Sequence, residues 1–343
     1  MSLVVSSQNP FNLVDRTEEL LMIPQNPTLM NDSGMWREEF LPTRTVTFEE
    51  RKGELFIIKD QVDNGRPVTS PNEVRKLHAY GMTHHPYVDA LFPQDIAAVS
   101  RPGQIGANQL DTKERKLIEK METIRKSYDR TLNLARFRTL AAGDIWSPNG
   151  NLQGNFYTDF GITRKITNFN LDNPTFRVLG ACEEVIANFM SQGTEGENID
   201  RVTAYCSGKF FSKLISHPSV QAAYNLSAVA APQQISRDRA GGMGFYRRFV
   251  FSNIEFIEVL QVVDGSALIA DGDAIFVADD GDGSFRTYYG PAMRFGYVNT
   301  TAASGYLWTF EDPRGTQVTI EAEMNMINIL RKPGLVSTGK YVP

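Results

Sequence analysis

The run from Asp111 to Ala142 limits what this chain can become more than any other stretch. Neither Gly nor Pro interrupts it before Gly143. Asp111 followed by Glu114 reads as a capping box, in which the aspartate meets orphan backbone N–H groups and the glutamate reaches back. Leu117, Met121, Ile124, Tyr128, Leu132 and Ala135 follow in steps of three and four, which places them on one stripe of a helix. The other faces carry Lys113, Arg115, Lys116, Glu119, Lys120, Glu122, Arg125, Lys126, Asp129 and Arg130. About thirty residues make a rod of roughly 45 Å, where globular helices average about eleven or twelve residues. Such a rod, with one apolar stripe and a charged remainder, predicts a spine on which sheets rest.

With 343 residues, 41% hydrophobic and 22% charged, the chain has mass for two or three domains. Its net charge of -5 argues against a dedicated nucleic-acid binder, which carries a basic excess. Cys182 and Cys206 form neither a disulfide framework nor a metal-ligand spacing and fit a reducing compartment. The opening MSLVVSSQNPFNLVDR lacks a basic start and a long apolar core, so no signal peptide is expected. Nor does any window approach the eighteen or so apolar residues of a membrane span.

Residues 1–30, punctuated by Pro10, Pro24 and Pro27, read as an arm that is either disordered or ordered by lying on another subunit. Thr45 to Phe48 has strand composition. Glu54 to Val62 reads as a strand, Asp63-Asn64-Gly65 as its turn, and Val74 to Asp89 as the return. This charged ribbon is too polar to be core and is expected to project onto a partner. Gly154 to Phe169 reads as a second hairpin, turning near Asp159-Phe160-Gly161. Pro174 opens a helix with the stripe Phe176, Leu179, Val185, Ile186 and Phe189. Arg201 to Cys206 is a strand, and Ser207 caps a helix that His217-Pro218 ends. Strands follow at Phe249 to Val263, Ala267 to Ile269 and Ile275 to Ala278, with Ala228 to Gly244 as a flexible loop. Val318 to Met326 returns to alternation. A terminus that resumes strands after a compact stretch predicts one discontinuous domain, made of the spine helix, the hairpin after it and the tail, with residues 172–305 inserted.

Chemical motifs are few. His84-His85 with Asp89 could hold a metal, but neighbouring strand residues point to opposite faces and only four histidines exist, so a ribbon surface is the better reading. Asp279 to Gly283 fails as a calcium loop, with Phe285 where glycine is needed and Pro291 where glutamate is needed. Gly241-Gly242-Met243-Gly244 lacks a phosphate-binding lysine and precedes strand rather than helix. Lys113, Arg115, Lys116 and Lys120 make a basic helix end that could meet nucleic acid, yet Glu114, Glu119 and Glu122 balance it as a solvated face. No catalytic residues and no cofactor are assigned.

The order of parts resembles the major capsid proteins of tailed bacteriophages, in particular the lambda-type major capsid protein E family. Arg44 to Gln61 (RTVTFEERKGELFIIKDQ) is similar to the strand leading into that family's extended loop. His78 to Asp95 (HAYGMTHHPYVDALFPQD) is similar to its return, and Arg201 to Gln221 to its apical strand–helix segment. The resemblance implies an α+β chain with the tailed-phage major capsid fold. Its parts would be an N-terminal arm (1–30), a peripheral lead-in strand (31–52), an extended β-ribbon loop (53–90) and a peripheral domain with the spine helix (91–171, helix 111–142). An inserted axial α/β domain (172–305) and peripheral C-terminal strands (306–343) would complete it. It also implies self-assembly into hexamers and pentamers of an icosahedral head enclosing double-stranded DNA. A scaffolding protein, a portal and a decoration protein are the further expected partners, with no sequence-specific DNA contact, no membrane, and assembly in the host cytoplasm. Lys59, Asn64, Arg66, Lys76, Arg237, Arg239 and Arg247 are the subunit-interface candidates. Some relatives of the fold crosslink a ribbon lysine to asparagine; Lys59 and Lys76 lie on the ribbon here, with no partner identifiable. Two other readings stand beside this one: a cellular nanocompartment shell of the same fold, and a soluble α/β enzyme with a dimerisation ribbon.

Overall fold

The computed structural model describes residues 13–26, 28–52, 74–96, 113–145, 147, 153–192, 199–227, 236–239, 245–263, 266–281 and 283–343. The spine helix spans Lys113–Ala142, thirty residues. Asp111 of the expected capping box lies outside the described residues. Gly143 ends the helix at φ +73°, where a Cβ would come within 2.4 Å of the Tyr157 ring. All six residues of the expected apolar stripe are buried. They pack with Leu307, Ile320, Ala322, Met324 and Met326 of a six-stranded sheet.

That sheet is ordered Leu13–Asp15, Tyr306–Glu311, Val318–Leu330, Phe285–Tyr289, Arg37–Phe40, and Thr83–Leu91 pairs with Val318–Leu330 as well. A second, seven-stranded sheet runs Ile166–Asn170, Val336–Val342, Asp273–Asp279, Arg201–Cys206, Ile254–Glu258, Phe245–Phe251, Ser236–Arg239. Leu134, Phe137 and Leu140, from the last turns of the spine helix, enter the core of this second sheet. The helix thus ties the two cores together.

Strand pairing divides the chain at other points than the sequence predicts. Phe285–Tyr289, expected in the insert, pairs with Val318–Leu330. Val336–Val342, expected with the tail, pairs with Asp273–Asp279, and Ile166–Asn170 lies parallel to it. The chain therefore changes sheet near residues 280 and 331, and the two crossings are pinned together. Asp280 accepts from Lys332 Nζ at 3.0 Å, and Arg331 N–H donates to the Ser284 carbonyl at 2.9 Å. The stretch from Asp279, which fails as a calcium loop and reads as a tight turn in the sequence, lies at this crossing.

The expected hairpin at 154–169 is corrected to a short helix, Phe156–Phe160, before the strand Ile166–Asn170. Asn155 Oδ1 accepts from the N–H groups of Tyr157 and Thr158, and Gly161 closes the helix at φ +64°. A good N-cap and a left-handed C-terminal glycine outweigh the alternating pattern of Phe156 to Phe160. The next helix starts at Val178 rather than Pro174. The single strand expected from Phe249 is a hairpin turning at Ser252 and Asn253, both at positive φ. No described helix is long and apolar enough to cross a membrane.

Candidate assembly surfaces

The first surface is the ribbon. Thr45–Lys52 pairs antiparallel with Val74–Gly81, in register from Thr45 opposite Gly81 to Lys52 opposite Val74. The chain then leaves the ribbon at Met82, and Thr83–Leu91, expected as ribbon, is an integral strand of the six-stranded sheet. An aromatic stack clamps the ribbon root: Phe48 lies over His78 at 5.6 Å, and His78 over Phe160 at 5.0 Å. Tyr80 Oη donates to Asp159 at 2.6 Å. Lys76 is exposed and stands opposite Glu50, beside Leu77, which is 76% exposed. Lys59, Asn64 and Arg66 lie outside the described residues.

The second surface is the outer edge of the seven-stranded sheet. Arg237 and Arg239 sit on its last strand, with Arg237 opposite Arg247. Arg247 is neutralised by the inner neighbouring strand. Its Nε donates to Glu258 at 2.6 Å, and its guanidinium lies 5.1 Å over the Phe211 ring. Arg247 is thus committed within the subunit. The glycine-rich run Gly241 to Gly244 and most of the expected flexible loop lie outside the described residues.

The third surface is the N-terminal segment. Residues 13–30, expected to be disordered or to lie on a neighbour, lie on their own subunit. Leu13–Asp15 pairs with Tyr306–Glu311. Asn26 N–H donates to Asp129 at 2.7 Å, and Met30 N–H to Asn133 at 3.1 Å. Arg136 donates to Asn31 and to Glu38, each at 2.9 Å, and to Thr287 Oγ1 at 3.1 Å. Arg125, Asp129, Asn133 and Arg136 recur at helical spacing, and all are buried. Arg125 and Asp129, read from the sequence as part of the helix's charged remainder, are buried here. Burial pushes the Asp129 carboxyl above the usual range, against the Asn26 N–H and the Arg125 guanidinium, which lower it. Leu20, Leu29 and Met30 are buried in the two cores, so apolar anchors hold the segment together with backbone hydrogen bonds to a polar helix stripe.

Other expected sites resolve into structure. His85 is buried, bonded to Thr83 Oγ1 at 2.9 Å, and burial with neighbouring His84 lowers its pKa to about 4. His84 Nδ1 meets Asn325 Oδ1 at 2.8 Å. Among the described residues no cluster of three or more His, Cys, Asp or Glu could hold a metal. The basic helix end is internally paired: Lys113 with Glu311 at 2.7 Å, Lys116 with Glu119 at 3.0 Å, Lys120 with Asp89 at 2.8 Å. Burial pushes the Cys182 thiol up to about 12 and Cys206 well above its usual value, so both are inert. A cavity of about 120 Å³ lies among Asp32, Arg201, Tyr205, Arg248 and Glu255. That is below the roughly 300–1,000 Å³ of small-molecule pockets. Phe295 is fully exposed at 102% and went unread in the sequence; its one signal there is an apolar Met293-Arg294-Phe295-Gly296-Tyr297-Val298 run inside a loop.

Residues 14–341 match the profile described as Phage major capsid protein E. The chain is 32% identical over 351 residues to the major capsid protein of Pseudomonas phage KPP10, covering 98% of this chain and 99% of that one. It is 25% identical over 359 residues to the major capsid protein of Salmonella phage Felix O1, covering 96% of each. Among solved structures, a prophage protein of E. coli CFT073 described as a capsid protein aligns at a TM-score of 0.56 and 10% identity, covering 91% of this chain and 92% of that one. The capsid of Myoviridae phage XM1 aligns at 0.50 and 9% identity, covering 93% and 94%. At such identities the structural matches speak for the fold, which is the tailed-phage major capsid fold.

Proposed function

This chain belongs to the phage major capsid protein E family, and from that premise we propose that its copies build hexamers and pentamers of an icosahedral head around double-stranded DNA. The role of shell subunit in the virion is the family's own. The observation that carries the finer reading is end-to-end correspondence: 98% of this chain and 99% of the KPP10 major capsid protein align. Neither chain carries a large segment that the other lacks, so the two subunits are built to one plan.

The six-stranded sheet with its spine helix serves as the peripheral domain, and the seven-stranded sheet as the axial domain. A rod of thirty residues gives a thin wall a stiff member across one subunit. The ribbon of Thr45–Lys52 and Val74–Gly81 reaches towards a neighbour, since two strands alone are marginal in water. Exposed Lys76, together with Lys59, Asn64 and Arg66 outside the described residues, and Arg237 and Arg239 on the last strand of the axial sheet, are the contacts we assign between subunits. A separate scaffolding protein and a portal direct assembly in the host cytoplasm, a decoration protein binds the finished shell, and packaged DNA meets it without sequence readout. The net charge of -5 suits a wall that must not grip what it encloses.

The test is expression with and without the phage's scaffolding protein, followed by electron microscopy and protein analysis of purified virions. Closed shells and an abundant virion band are expected. A chain that stays monomeric under every assembly condition and is missing from virions overturns the reading.

A further inference from the structure

Directly opposite residues on antiparallel strands point to the same side of a sheet, so strand register sorts the six-stranded sheet into two faces. His85, Tyr87, Ala322, Met324 and Leu307 belong to the face under the spine helix. Pro86, Val88, Glu321, Glu323, Tyr306 and Trp308 belong to the other. Residues 290–305 cover part of this second face and are tied down at three points. Arg294 pairs with Glu321 and lies 4.0 Å over the Trp308 ring. Tyr297 packs edge-on against Tyr306 and Trp308 and donates to Asp15. Met293 N–H donates to Glu323 at 2.9 Å. Between these ties the apolar side chains are left outside: Met293 is 65% exposed, Phe295 102% and Val298 58%. Glu321 stands opposite Val88, itself 67% exposed, and Glu323 opposite exposed Pro86. The covering segment therefore presents Met293, Phe295 and Val298 outward, on the side of the sheet that also carries exposed Val88 and Pro86.

We propose that this patch, centred on Phe295, is a contact between copies of this chain that forms only in the assembled particle. The inference rests on the shell reading above and adds a surface to it. Charge and size both select the occupant. The acidic groups at the rim are already matched, Glu321 by Arg294, and Glu323 by the Met293 N–H with His84 at 3.4 Å. Such a rim draws neither nucleic acid nor a basic peptide, and leaves an apolar partner. Phe295 alone offers about 200 Å², against about 800 Å² per partner in a stable two-body interface. That is too little to hold a free dimer and enough for one of several contacts around a shell subunit. Because the loop is already fixed by its ties, docking Phe295 costs little ordering entropy, and a central aromatic is the commonest anchor of such contacts.

The test uses the whole chain carrying Met293→Cys, which leaves Phe295 in place. The native thiols of Cys182 and Cys206 are both 0% exposed and Met293 is 65% exposed, so maleimide labelling reports on position 293 beside the anchor. Rapid labelling of unassembled subunits and at least tenfold slower labelling in particles is expected; equal rates in the two overturn the proposal. In parallel, Phe295→Ser is expected to keep the wild-type unfolding midpoint and to lower particle yield at least tenfold. Wild-type yield from that variant also overturns it. A cysteine free in particles made from this chain alone but protected in virions assigns the patch to a second protein, which is again a refutation. Wild-type chain that neither forms particles nor enters virions removes the shell reading itself, and is told apart by needing no variant.

Discussion

Leu117, Met121, Ile124, Tyr128, Leu132 and Ala135 on one side of the spine helix, and Arg125, Asp129, Asn133 and Arg136 about 100° round it, are equally shut off from solvent. Different physics holds each. The first stripe is covered by the strands Tyr306–Glu311 and Val318–Leu330, and its burial is driven by apolar area leaving water. The N-terminal segment covers Asp129, Asn133 and Arg136 of the second, while Arg125 meets Ser304 and leaves its Nε without a hydrogen-bond partner, so what matters there is which buried polar groups find partners. Arg136 shows the difference most clearly. It is 1% exposed, meets three side-chain oxygens, and lies 5.5 Å over the Trp36 ring. An apolar stripe tolerates any filling of similar shape; this polar one needs its specific partners, and so fixes where the N-terminal segment runs.

The largest effect should come from Ile124→Pro, which breaks the rod beneath both stripes. A proline in a helix interior costs about 3 kcal/mol or more, and losing a buried isoleucine adds about 2–5 kcal/mol. No cooperative unfolding transition by circular dichroism and no particles by electron microscopy are expected; normal particles would break the spine assignment. Next is Arg136→Ala, which takes one donor from each of Glu38, Asn31 and Thr287 and should cost about 3–5 kcal/mol in a denaturant titration. Ile124→Ala, at about 2–5 kcal/mol, is its matched control. An Arg136→Ala cost under about 1 kcal/mol would make the polar stripe a bystander, and the comparison would collapse to ordinary amphipathicity.

The apolar stripe was legible because spacing alone reports it, and the same holds for Arg201 to Cys206 and the Ser207 cap. The polar stripe was not. Arg125 and Asp129 look, in sequence, like Lys126 and Arg130 beside them, and only a segment arriving from about a hundred residues earlier separates the two kinds. Exposure cannot be read from side-chain type when the cover arrives from elsewhere in the chain. The sheet crossings near residues 280 and 331 were hidden for a related reason. Strand composition says that Phe285–Tyr289 and Val336–Val342 are strands, but their partners are set by the Asp280–Lys332 pin and by tertiary register. The exposed Phe295 was hidden in the opposite sense, since an apolar residue in a sequence is presumed to be inside.

His85 is a polar exception within the apolar interface itself, opposite Met324 and below Tyr128, whose Oη donates to its carbonyl at 3.3 Å. Burial lowers its pKa from 6.5 to about 4. The unfolded chain takes up a proton at higher pH than the folded one. Its contribution is therefore complete above pH 6.5 and is lost as pH falls towards 4, by roughly 3 kcal/mol. His85→Gln should flatten the stability profile over that window. An unchanged acid slope would mean that the imidazole is reached by water, and that this part of the interface is not dry.

Asp129 gives the smallest effect and the sharpest sign. Its folded-state pKa is raised, with burial the leading cause, so the folded state holds its proton to higher pH than the unfolded chain does. The carboxyl's contribution is present below its ordinary value near 3.8 and is lost as pH rises through the raised one, opposite in direction to His85. Asp129→Asn keeps an acceptor for the Asn26 N–H and removes the buried charge. It also removes the counter-charge 3.7 Å from Arg125 Nε. Losing a charge-assisted bond and relieving a desolvated carboxylate nearly cancel, so at neutral pH the variant should lie within about 1 kcal/mol of wild type. The informative quantity is the difference between the two profiles. Wild type should gain on the variant as pH is lowered towards 3.8 and lose ground as it is raised. A difference that grows the other way would show that the ion pair with Arg125 outweighs burial, and that the polar stripe is held by charge rather than by the hydrogen bonds that fasten the N-terminal segment.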